Sequence, residues 1–129
     1  MRRRAATVAV LLLALAGCSA APAPLNPDIV ALVPPQGGGM DALLEGELAI
    51  GDECVTVTIP EGTVLPVFPR PLVEWDGASL VVDGEPYEDG DPIALGGGFS
   101  PEDSDFSSPP PELHLPPGCP TELVFLVAG

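Results

Sequence analysis

The sequence predicts an all-β fold: a small barrel of about five to seven short strands behind a disordered linker. Three observations lead there. Short runs alternate apolar and polar residues with period two, three Asp-Gly pairs punctuate the middle of the chain, and no stretch of the body carries the periodicity of an amphipathic helix. With 129 residues, one hydrophobic core is the ceiling.

Taken in order, Ser19 to Met40 is rich in proline and ends in Gly37-Gly38-Gly39, which disfavours helix and leaves few side chains to bury. It is read as a spacer over residues 18–40, with the body at 41–129. Ile29 to Val33 is apolar and β-branched enough to dock as a first strand, which would end the spacer near Asp28. In LLEGELAI, Leu44, Leu48 and Ile50 alternate with Glu45, Glu47 and Ala49; in CVTVTI, Val55, Val57 and Ile59 alternate with Thr56 and Thr58. Gly51-Asp52-Glu53 between them is short enough to make these two strands a hairpin. TVLPVFP supplies a third apolar segment, which Pro66 and Pro69 are expected to confine to an edge or a bulge.

Asp76-Gly77, Asp83-Gly84 and Asp89-Gly90 supply the positive φ angles of tight reversals. They divide Val73 to Trp75, Leu80 to Val82, Pro86 to Tyr87 and Ile93 to Leu95 into the strands of a meander. The last strand is ELVFLVA, Glu122 to Ala128, apolar on both faces and so expected to be central, with a loop or the first strand over its outer face. Closing these strands into a barrel removes edges that so small a sheet could not protect.

Met1 and Arg2 to Arg4 precede a run from Ala5 to Leu15 that is apolar apart from Thr7, the order of a secretory signal and too short to span a bilayer. The run ends in Leu15-Ala16-Gly17-Cys18, which resembles the lipobox of bacterial lipoproteins. The resemblance implies a signal peptide over residues 1–17, diacylglyceryl transfer to the Cys18 thiol and cleavage before Cys18. Two acyl chains on one residue, at about 0.8 kcal/mol per buried methylene, would hold the protein on a membrane. Ordinary secretion, with cleavage among Ser19 to Ala23, is the alternative. With Cys18 taken by the anchor so implied, Cys54 and Cys119 remain as a pair in an exported chain, where a disulfide is the expected fate. Free thiols or a metal pair are the alternatives, although the spacing fits no zinc pattern.

The segment GDPIALGGG resembles the Gly-Asp strand of OB-like and SH3-like barrels, where glycines let a strand bend sharply. The order of spacer, hairpin with a cysteine, proline-bounded strand, Gly-Asp strand, cysteine and last strand is similar to that of small actinobacterial lipoprotein domains, loosely over residues 44 to 127. That resemblance implies a fold and no activity.

Loss of residues 1–17 would leave Arg70 as the one basic side chain against nineteen acidic ones. Nucleic acid is excluded as a partner, because affinity for phosphate backbones comes largely from Lys and Arg. For catalysis, His114 is the single histidine, flanked by prolines in PPPELHLPPG, and no Gly-x-Ser-x-Gly turn occurs. Gly96-Gly97-Gly98 is followed by no lysine and no helix, which argues against a phosphate loop. Calcium is the more physical option: Glu102, Asp103 and Asp105 share one loop with Ser104, and Glu88, Asp89 and Asp91 share another, though neither has the spacing of an EF-hand. Solvated turns are the alternative for both. Ser100 to Gly118 is long for a connection in so small a body, and Pro109-Pro110-Pro111 stiffens it.

The expectation is an extracytoplasmic, membrane-anchored bacterial envelope lipoprotein. Its body is read as a binding or structural module without catalytic residues or a required cofactor, for an envelope protein or polymer. A calcium-dependent binding module and a small secreted hydrolase are the other two readings. A protein-binding module would show an exposed apolar patch beside the long loop.

Overall fold

A computed structural model of the chain describes residues 29–35, 41–101, 103–108 and 110–129. The signal segment, Cys18, the spacer residues up to Asp28 and the Gly37-Gly39 run lie outside the described residues, as do Glu102 and Pro109. Among the described residues nine strands follow one another: β1 (Ala31–Val33), β2 (Ala42–Ile50), β3 (Val55–Ile59), β4 (Gly62–Pro69), β5 (Val73–Trp75), β6 (Leu80–Val82), β7 (Glu85–Tyr87), β8 (Pro92–Phe99) and β9 (Val124–Val127). A single 3-10 turn, Arg70–Leu72, joins β4 to β5.

Five strands close a barrel in the order β2, β3, β4, β9, β8 and back to β2, with β4 and β9 parallel and every other neighbour antiparallel. In barrel order these are strands one, two, three, five and four, the five-stranded Greek-key arrangement of OB-like barrels. β5, β6 and β7 form a separate antiparallel meander. Its Val73, Leu80 and Val82 join the barrel's interior, where Leu48, Val57, Val64, Phe68, Ile93 and Phe125 pack. The meander therefore plugs the end of the barrel at which β4 finishes and β8 begins. Ile93 to Leu95, expected to extend the meander, belong instead to β8 and the barrel.

The turns follow the sequence chemistry. Asp83 and Gly84 both have positive φ, 49° and 80°, and make the two-residue reversal between β6 and β7. Asp76 closes the β5–β6 turn, accepting hydrogen bonds from the backbone N–H groups of Ala78 and Ser79 and from the Ser79 hydroxyl. Those bonds, the Ser79 hydroxyl foremost, hold the Asp76 carboxyl below the usual carboxylate range.

β1 lies parallel to β4, so the body takes in residues 29–35 rather than starting at 41. β4 is not the edge strand its prolines suggested. It has β9 along one side, and β3 followed by β1 along the other, and its residues from Val64 to Pro69 are buried. The explanation lies in where the missing N–H falls. Leu65 donates to the Leu123 carbonyl on the β9 side, so the nitrogen of Pro66 faces the other side, where β3 pairing has ended at Val64 and β1 pairing starts only at Val67. No ladder bond is lost there.

Alternate β4 residues face two cores. Val64 and Phe68 point into the barrel, while Leu65 and Val67 join Ala31, Cys54 and Val124 in a second cluster. Phe106, Leu113 and Leu115 from the long β8–β9 connection cover that cluster. This strap is held by a Leu32–His114 backbone pair (2.9 and 2.8 Å), by Arg70 donating to the Glu112 carbonyl (3.4 Å), and by a Cys54–Cys119 disulfide with Cα atoms 5.1 Å apart. The apolar outer face expected of β9 is thereby covered by a loop.

Two outcomes follow from this packing. A Cβ at Gly97 would run into the Leu126 carbonyl, whereas one at Gly96 meets nothing within 4 Å. Gly97→Ala should therefore lower stability by about 1–3 kcal/mol in urea unfolding while Gly96→Ala leaves the midpoint nearly unchanged. Replacing Cys54 and Cys119 together by serine, which opens a crosslink spanning 65 positions, should cost about 4 kcal/mol. The amides of Leu32 and His114 should then be the first to lose protection from hydrogen exchange.

Candidate functional site

At the end of the barrel away from the meander, β2 begins, β3 turns into β4, β8 finishes and β9 starts. A cleft of about 580 Å³ opens between them, within the range of small-ligand and peptide sites. Three large apolar side chains stand out of the surface among the described residues, Leu43 (62% exposed), Phe99 (46%) and Leu123 (37%), and all three line this cleft. Phe99 is set by an edge-on contact with the buried Phe125, ring centroids 5.1 Å apart. The first part of the strap is a wall: Ser100 donates to the Val124 carbonyl (2.9 Å), Ser104 to that of Pro101 (3.0 Å), and Phe106 reaches the cleft from the strap. The charged residues on its rim are Glu45, Glu61 and Glu122.

Leu43 is placed by the pleat. Leu44 and Leu48 point into the core and their neighbours point out, so Leu43 shares the outward face of Glu45 and Glu47. That break in the alternation, a leucine where the pattern calls for a polar residue, is the signal by which the sequence could have disclosed the site. Phe99 and Leu123 carry no such mark. The expected apolar patch beside the long loop is present.

The sequence candidates for chemistry are placed otherwise. His114 is half-buried, its backbone is paired with Leu32, and its Nε2 is buried without a hydrogen-bond partner. Among the described residues neither a serine hydroxyl nor a carboxylate is bonded to it, as a triad would require. Phe68 and Phe125 are fully buried, and Trp75 and Tyr87 are half-buried against the core. Burial, with help from the Glu85 carboxylate that accepts from its hydroxyl, pushes the Tyr87 phenol up.

Of the calcium candidates, Glu102 lies outside the described residues, and Asp103 is exposed. Asp105 accepts from the Ser107 hydroxyl (2.6 Å) and the Ser107 N–H (2.8 Å), which hold its carboxyl below the usual range. In the second acidic stretch Asp89 accepts from the Ile50 N–H and Asp91 from the Glu88 N–H, both at 2.8 Å. These carboxylates build turns. No group of three or more His, Cys, Asp or Glu side chains converges among the described residues.

No protein-family model, no curated protein and no solved structure matches the chain. No helix among the described residues is long and apolar enough to cross a membrane.

Because the loop carboxylates already accept protein N–H and O–H groups, millimolar calcium and a chelator should each leave the melting temperature unchanged. A rise with calcium, removed by Asp103→Asn, would give the acidic loop a metal.

Proposed function

We propose that the protein is a lipid-anchored, extracytoplasmic envelope module that binds a partner through the cleft at the open end of its barrel and performs no chemistry there. The observation that carries the binding role is the convergence of Leu43, Phe99 and Leu123 on one cleft. Exposed apolar side chains gathered in a concave site, rather than scattered, are what a recognition surface requires. The anchor rests on Leu15-Ala16-Gly17-Cys18 behind the basic and apolar leader. The chain toward Cys18 enters the body at Ile29, whose carbonyl accepts from the Val55 N–H at the start of β3. The cleft lies at the other end of that strand, about 17 Å from Ile29 at strand spacing. A disulfide suits an oxidising compartment.

Intact mass of the native protein should show acyl chains on a chain beginning at Cys18, and Cys18→Ser should move the protein from the membrane fraction. A mature, unlipidated product starting downstream of Cys18 would overturn the anchor. For the cleft, Leu43→Ser with Leu123→Ser should abolish the species crosslinked to the wild-type protein in living cells. Both side chains are exposed, so stability should change by less than about 0.5 kcal/mol per site; an unchanged crosslinking pattern would overturn the binding role.

A further inference from the structure

One wall of the cleft is an unfinished strand pairing. β2 pairs with β8 from Ala42 to Glu47, but with β3 only from Glu47 to Ile50. Among the described residues no strand faces Ala42–Glu45 on the β3 side, because β3, whose Ile59 lies against Gly46, turns away there through Pro60-Glu61 into β4.

The direction of the free groups follows from the ladder. Leu48 bonds toward β8, its N–H to the Asp91 carbonyl (2.8 Å) and its carbonyl from the Gly90 N–H (2.7 Å). Hydrogen bonding alternates sides along a strand, so Leu44 and Gly46 also serve β8, while Leu43 and Glu45 turn their N–H and C=O groups toward the vacant side. An unpaired edge of this kind is a template for an added strand. Its side chains specify the rest. Leu43 and Glu45 project on the outer face, Leu44 and Phe99 bound the inner face, and the charged residues described on the rim, Glu45, Glu61 and Glu122, are all acidic.

We infer that the cleft takes an extended basic peptide segment of another protein, added antiparallel to β2 along Ala42–Glu45, with apolar residues opposite Leu43 and Leu44 and a lysine or arginine opposite Glu45. The inference rests on the cleft's binding role proposed above and names the chemistry of its partner. Opposite charges facing each other across a strand pair are favourable and like charges are not. A cationic segment also meets complementary charge, since Arg70, the one basic side chain of the body, is bonded to the Glu112 carbonyl on the strap. An acidic segment would meet three glutamates with no counter-charge.

The test is amide hydrogen exchange by NMR on the folded protein, free and with capped peptides of about eight residues in which a lysine is followed by two valine or isoleucine residues, the order that faces Glu45, Leu44 and Leu43 in turn on an antiparallel strand. In the free protein the Leu43 and Glu45 amides should exchange rapidly and those of Leu44 and Gly46 slowly. Saturating lysine peptide should slow Leu43 and Glu45 by about tenfold or more, with little change at Leu44 and Gly46. Affinity should fall as salt rises, and in Glu45→Gln and Glu122→Gln variants, while a glutamate-substituted peptide should not bind. Slow exchange at Leu43 and Glu45 in the free protein would mean that the chain fills its own edge, and would overturn the inference. So would the absence of lysine-peptide binding at millimolar concentration, or protection elsewhere on the surface. Equal protection by the glutamate peptide would overturn the basic specificity while leaving the cleft's binding role intact.

Discussion

Burial of β4 on both faces is the constraint on which the rest of the molecule depends. One face of the strand completes the barrel through Val64 and Phe68; the other, through Leu65 and Val67, needs a cover that the barrel itself does not provide. The strap supplies it. Phe106, Leu113 and Leu115 exclude water from the outer face, and the disulfide and the Leu32–His114 pairing keep an otherwise irregular segment in place. Fixing that many residues without regular structure costs backbone entropy of about 1–2 kcal/mol each, which is why apolar burial, a covalent link and backbone bonds all act on the same segment.

The same strap shapes the cleft. Its first residues leave Phe99 at the end of β8 and return to Leu123 at the start of β9, so the segment covering the second core also walls the open end of the barrel. The opposite end is closed by the meander, whose Val73, Leu80 and Val82 belong to the barrel interior. An OB-like barrel closed at one end and walled at the other leaves its open end as a cleft lined by apolar side chains.

Acidity has two different uses in this molecule. Asp76, Asp91 and Asp105 accept hydrogen bonds from backbone N–H groups two or three residues away, and Asp89 from that of Ile50 at the end of β2. That is the ordinary chemistry of Asp at turns. Glu45, Glu61 and Glu122 stand instead around an apolar opening. The distinction separates carboxylates occupied in building the fold from carboxylates facing a space that a partner can enter.

Much of the fold was legible in the residues themselves. Period-two alternation located β2 and β3, the Asp-Gly pairs located the reversals of the meander, and an apolar run without alternation marked β9 as covered on both faces. These are local properties, set by the side-chain geometry of a strand and the φ angles of a turn. What only the tertiary structure decided depends on residues far apart in sequence. Pro66 sits within a central strand because β3 ends and β1 begins on either side of its nitrogen, and no local rule contains that coincidence. Likewise Leu43, Phe99 and Leu123 lie on three different strands or their ends, and become one site only when closure of the barrel brings the start of β2, the end of β8 and the start of β9 to the same rim. Local sequence determines the conformation of each element; long-range pairing determines which surfaces remain uncovered.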